Sequence, residues 1–128
     1  MNKDQLDRLG SIILDSCIHV HRELGPGLLE SAYTTALIRE LRLRDIQVSQ
    51  NYPVELAYKG EHLGKVYVID IFVENEIILE IKSVDTLDPI FTAQLITYLK
   101  ITGKKLGYLI NFNTLLMKYG FKRVVHNI

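Results

Sequence analysis

The chain of 128 residues has a single cysteine, three prolines and no net charge. Cys17 alone excludes an internal disulfide, and it cannot by itself hold an iron–sulfur cluster or a cysteine-based zinc site. Its neighbours Ile12, Ile13, Leu14 and Ile18 make it a plain core thiol. No apolar run nears the roughly 20 residues of a membrane span. The opening MNKDQLDRLG is polar and includes two acidic residues, unlike a signal peptide. A cytoplasmic location with no membrane partner is therefore expected. No internal repeat, linker or low-complexity stretch interrupts the chain, so residues 1–128 read as one domain large enough for a real core. No base-reading module is visible, which argues against sequence-specific recognition.

What is present is unevenly spread. Residues 1–88 carry nine Lys/Arg against 15 Asp/Glu, whereas residues 89–128 carry six Lys/Arg and no acid. A basic final third beside an acidic region suits a docked polyanion. It is equally the pattern of a solvated surface whose charges offset the other half.

The three prolines fall at boundaries. Residues 3–24 form a helix by the spacing of Leu6, Leu9, Ile13, Cys17 and Val20, capped by Asn2 or Asp4 and stopped at Gly25-Pro26. His19 and His21, two apart on that helix, point to different sides and are not a metal pair; surface or capping roles are expected. A second helix spans Leu28 to Arg44, with Glu30 in its first turn, where the helix dipole favours a carboxylate. Asp45 to Asn51 reads as a connector, and Tyr52–Tyr58 as a strand whose Pro53 suits a strand start or a sheet edge. Asp88 caps a third helix that begins at Pro89 and ends at Gly103. Leu106–Phe112 is a buried strand of parallel type, Asn113–Tyr119 a short helical turn and Phe121–Val125 a final edge strand.

The informative stretch is Gly64 to Val84. Two apolar runs, Val66–Val73 and Ile77–Val84, flank Glu74-Asn75-Glu76, a strand–turn–strand signal. Both runs are apolar on both faces, so the hairpin is expected to be covered on each side. Asp70, Glu80 and Lys82 interrupt it, and buried charge is costly unless paired or bound to a metal. A three-residue loop sets Val73 against Ile77 and so Asp70 opposite Glu80, with Lys82 on the same side. A two-residue loop would send Asp70 to the other face. Facing carboxylates repel unless a proton or a cation intervenes.

Asp70 followed by Glu80-Ile81-Lys82 resembles the D…(D/E)xK signature of the PD-(D/E)XK nuclease superfamily. Gly27-Leu28-Leu29-Glu30-Ser31-Ala32-Tyr33 spells G-x-x-E-x-x-Y, the pattern that names the GxxExxY family within it, and Gln94 and Tyr98 resemble the Q-x-x-x-Y element of RecB-like exonucleases. His21-Arg22-Glu23-Leu24-Gly25-Pro26-Gly27, Leu109-Ile110-Asn111-Phe112-Asn113 and Lys122-Arg123 extend the likeness over nearly the whole chain.

The resemblance implies an α/β, restriction-endonuclease-like core: a mixed central sheet of the α-β-β-β-α-β kind with helices on both sides. It implies a Mg²⁺ or Mn²⁺ site built from Asp70, Glu80 and the main-chain carbonyl of Ile81, with Glu30 lending a further carboxylate. Lys82 would orient the attacking water or stabilise the transition state, and Gln94 and Tyr98 would bind a phosphate or a water. The expected function is metal-dependent hydrolysis of nucleic-acid phosphodiesters, DNA ahead of RNA, and a homodimer would suit a domain this small acting on two strands. The rival is a non-catalytic nucleic-acid- or protein-binding module that keeps the nuclease fold. A third alternative treats Glu80 and Lys82 as an ordinary cross-strand ion pair, with Asp70 on an exposed edge and Gln94 and Tyr98 remote from it.

Overall fold

The computed structural model describes residues 1–128, the side chain of Lys65 excepted. Helix α1 spans Lys3–Leu24. The Asn2 side chain accepts from the Gln5 backbone N–H while the Gln5 side chain accepts from that of Asn2, satisfying two donors that a helix start leaves free. Gly25 ends the helix at φ 71°, a left-handed value that an L side chain rarely adopts. Helix α2 follows at Glu30–Leu43.

Strands β1 (Val48–Tyr58), β2 (Glu61–Val73) and β3 (Ile77–Lys82) run as antiparallel neighbours. Helix α3 (Pro89–Thr102), capped by Asp88, then leads to β4 (Leu106–Asn111), which pairs parallel to β3. A 3₁₀ turn at Met117–Tyr119 precedes β5 (Phe121–Val125), antiparallel to β4. The five strands lie in chain order, β1 to β5. This is a mixed α/β sheet flanked by helices, the restriction-endonuclease-like arrangement expected.

One face of the sheet packs on α1 and α2 through Leu6, Ile13, Tyr33, Leu37, Ile71, Leu79 and Ile110. The other packs on α3 through Phe72, Ile78, Leu95, Leu99 and Leu109. Helix α1 lies so close to β4 that a methyl group on Gly10 would overlap the Tyr108 hydroxyl. Strand β3 is covered on both faces, which explains its run of five buried residues.

Three expectations are corrected. The edge strand begins at Val48, not Tyr52, because pairing of Val48, Ser49 and Gln50 with Val73, Phe72 and Ile71 draws the polar connector into the sheet. The hairpin is not covered along its whole length: Val66, Tyr67 and Val68 are exposed, since β1 and β2 run on past the ends of the helices. His21 is buried, with its Nε2 bonded to the Thr114 carbonyl at 2.8 Å and its ring over Phe112.

Candidate functional site

Glu74-Asn75-Glu76 forms the loop between β2 and β3, with Glu74 and Asn75 at φ 52° and 54°. The register is the one a three-residue loop demands: Val73 faces Ile77, Phe72 faces Ile78 and Ile71 faces Leu79. There the backbone ladder stops, one residue short of Asp70 and Glu80. In its place the Asp70 N–H donates to Glu80 Oε2 at 2.9 Å, and the Ile81 N–H donates to Asp70 Oδ2 at 2.8 Å. Each carboxylate thus supplies the acceptor that the facing strand's backbone N–H would otherwise lack.

The neighbouring edge strand shares this irregularity. Ile71 belongs to the α1/α2 core but Ile69 to the α3 core, although residues two apart on a strand normally share a face. The change occurs at Asp70, beside Asn51, which adopts φ 52°. Glu80 alternates with Ile78 and so belongs to the α3 face. Asp70 lines a cleft of about 290 Å³ with Glu30, Ile81, Gln50, Asn51 and the α2 hydroxyl side chains. The two carboxylates therefore meet through the opened end of the strand pair rather than side by side on one face.

This placement is electrostatically strained. Glu80 is 4% exposed. Burial, followed by the Asp70 charge, pushes its carboxyl up to about 8, against smaller opposing effects of the Asp70 N–H and Lys82. Burial also raises Asp70, opposed by the Ile81 N–H and by Lys82. Tyr98, 6% exposed, has its hydroxyl raised by burial and by the nearby Glu80, Asp70 and Tyr67. Lys82 Nζ sits 4.3 Å from the centre of the Phe91 ring. Gln94 lies one turn before Tyr98 on α3 and is exposed.

Glu30, the first residue of α2, points back at the sheet. Its Oε2 accepts from the Ser83 N–H at 3.1 Å, and Ser83 Oγ donates to the Leu28 carbonyl at 2.6 Å. The Tyr33 hydroxyl donates to the Gly25 carbonyl and accepts from the Leu28 N–H, while its ring stacks on Phe112 at 4.5 Å. Tyr33 is thus a pin for the turn that aims Glu30. Buried Asn111 fixes the chain after Lys82, accepting from the Val84 N–H and donating to the Val84 carbonyl. The G-x-x-E-x-x-Y spacing singles out Tyr33 with Glu30, whereas no sequence motif gives a role to Ser83 or to the Asn111 amide. An Asn in an otherwise apolar strand was the available signal for the latter.

The structure therefore brings Glu30, Asp70, Glu80, Ile81, Lys82 and Tyr98 to one end of the sheet and leaves Gln94 at its exposed margin. Larger cavities of about 590 and 500 Å³ lie elsewhere, beside Arg42 and Asn75 and beside Pro26 and Leu116, away from these carboxylates. Among the described residues, no three His, Cys, Asp or Glu side chains are grouped closely enough to form a metal cage. Asp70 and Glu80, with the Ile81 main chain beside them, could instead supply two carboxylates and a carbonyl, a set that fits the way Mg²⁺ is usually held, by one or two carboxylates plus substrate oxygens and waters.

A model of the PD-(D/E)XK nuclease superfamily matches residues 7–124. The chain belongs to that superfamily. No curated protein matches the sequence. The match begins within α1 and ends within β5, and covers all the helices and strands between them. Among the described residues, no helix is long and apolar enough to cross a membrane.

Proposed function

We propose that residues 1–128 act as one metal-dependent nuclease domain of the GxxExxY type that hydrolyses phosphodiester bonds of nucleic acid, DNA in preference to RNA. The observation that carries this reading is the cross-capped Asp70/Glu80 pair, Glu80 buried and Asp70 half-buried, with Lys82 nearby. Membership of the nuclease superfamily supports it, and nucleases of that superfamily generally use Mg²⁺ or Mn²⁺. Superfamily membership alone does not fix an activity, so the weight rests on the site.

Asp70, Glu80 and the Ile81 carbonyl would hold the cation, and Glu30 lends a further carboxylate from α2. When bound, the cation supplies charge neutralisation on the scissile phosphate and an attacking water of lowered pKa. Lys82 places an ammonium beside the acidic pair, where it offsets the negative charge that builds on phosphorus oxygens in the transition state. Phe91 and the backbone bond from the Phe112 N–H to the Lys82 carbonyl, 3.0 Å, hold that strand end and its side chain in place. Tyr98 and Gln94 offer a hydroxyl and an amide that hydrogen-bond substrate phosphate or water. A cytoplasmic homodimer completes the proposal.

The test is cleavage of labelled single- and double-stranded DNA and RNA with Mg²⁺ or Mn²⁺, wild type against Asp70→Ala, Glu80→Ala and Lys82→Ala. Metal-dependent cutting that each substitution abolishes while the circular dichroism spectrum is kept is the expected result. Absence of cleavage across all four substrates with both metals contradicts the reading.

A further inference from the structure

The α3 face of the sheet carries two side chains that the hydrolytic chemistry does not use, Lys122 and Tyr67, one on each side of the strand that bears Glu80. On β5, Lys122 pairs with Leu109, a member of the α3-side core, so Lys122 lies on that face. Its Nζ donates to Thr92 Oγ1 at 3.0 Å. Lys82 Nζ rests on the ring of Phe91, the preceding residue. Two ammonium groups are thus held by consecutive residues in the first turn of α3. Among the described residues, neither makes an ion pair with a carboxylate, unlike Lys3, Arg44 and Arg123. A lysine oriented by a neutral hydroxyl keeps its charge for an external anion.

On the other side, Tyr67 of β2 faces Val54, which is buried in the α3-side core, so the Tyr67 ring shares that face. It is 43% exposed and stands near Tyr98. Tyr52, opposite Ile69, lies on the same face, 37% exposed and edge-on to Phe72 at 5.0 Å. An exposed ring braced by a sheet is a stacking platform.

We propose that this face is a track for a single nucleic-acid strand, with Lys122 holding a backbone phosphate on one side of Glu80 and Tyr67 stacking a base on the other. The proposal rests on the nuclease reading above and adds the strandedness and path of the substrate. The β2 and β5 strands are three spacings apart, about 14 Å, with Glu80 and Lys82 on an intervening strand. Strands that far apart suit anchors on successive nucleotides of one chain, so the occupant is a polymer. Stacking a base on Tyr67 requires a base face free of its neighbours, which a single strand offers and an intact duplex does not.

Binding rather than cleavage tests this, so that it can fail separately from the nuclease reading. A fluorescent oligothymidylate dodecamer and a duplex of equal length are titrated with the full chain in EDTA, by anisotropy, over a range of salt. The wild type binds the single strand more tightly than the duplex. Lys122→Ala weakens single-strand binding several-fold and lowers the salt slope by about 0.7, the share of one phosphate contact on a single strand. Tyr67→Ala weakens it about tenfold, and Tyr67→Phe restores it to within about twofold because the ring is kept. Wild-type binding that neither substitution changes, or duplex binding at least as tight, overturns the track alone. No binding of either oligonucleotide by the wild type also overturns the track, while the nuclease reading stands or falls on cleavage with Mg²⁺ or Mn²⁺.

Discussion

From Val73 back to Ile71, the second strand is joined to the third backbone to backbone; from Asp70 onward it is joined by carboxylates. The closed half is dry and apolar, with Val73, Ile77, Ile78 and Leu79 fully buried. The open half keeps its hydrogen bonds satisfied but places two acids where one charge is already expensive. Among the described residues, no buried side-chain nitrogen or oxygen lacks a partner, so the cost at the open end is electrostatic rather than one of missing hydrogen bonds. The same pair of strands therefore gives one half to stability and the other to the acidic pair that we propose as a cation site. If the proposed function holds, stability and chemistry separate along a length of a few residues.

Breaking the open half should show first in activity. Asp70→Ala, Glu80→Ala and Lys82→Ala should each lower Mg²⁺-dependent cleavage by about a hundredfold or more, the scale of losing one group that stabilises transition-state charge, as read by initial rates on labelled DNA. Breaking the closed half should show in stability instead. Ile77→Ala removes a fully buried side chain at the tight end and should cost about 2–5 kcal/mol, measured by urea unfolding, with the rate per folded molecule retained.

A pH series sharpens the contrast. Glu80 is raised to about 8 from an ordinary 4.5, so the native state binds more protons than the unfolded one between those values. Its contribution is complete below about pH 4.5 and is lost as pH rises through about 8. In EDTA the melting temperature should fall between pH 5.5 and pH 8.5. Glu80→Gln should flatten that fall, and saturating Mg²⁺ should raise the melting temperature more at pH 8.5 than at pH 5.5. The smallest effect is expected at the bracket that aims Glu30. Ser83→Ala removes the 2.6 Å bond to the Leu28 carbonyl and should cost about 1 kcal/mol of stability, with cleavage reduced less than by Asp70→Ala.

The comparison also marks what the sequence could reveal. The helix limits at Lys3, Leu24, Pro89 and Thr102, the three-residue loop and the parallel strand were legible because caps, glycine stops and apolar periodicity are local signals. The register of the hairpin was legible for the same reason. The gap in the ladder was not, because it depends on two side chains taking the place of backbone acceptors across strands. Exposure of Val66, Tyr67 and Val68 was hidden too: an apolar run reads alike whether or not a helix reaches far enough to cover it. His21, Gly10 and Ser83 matter through Phe112 and Thr114, Tyr108, and Leu28, partners distant in the chain, so no spacing rule could have found them. At the site, the residue types and their order were readable, while the division of the two carboxylates between an α2-side cleft and the α3 face required coordinates.

The central claim is that the opened end of this strand pair holds a divalent cation. Crystals of the protein soaked in Mn²⁺, with anomalous data collected near the manganese edge, test it most directly. The account predicts an anomalous peak within coordination distance of both Asp70 and Glu80, absent in crystals of Asp70→Ala. Clear density for both side chains with no peak between them, at a Mn²⁺ concentration that supports binding elsewhere on the molecule, would contradict it.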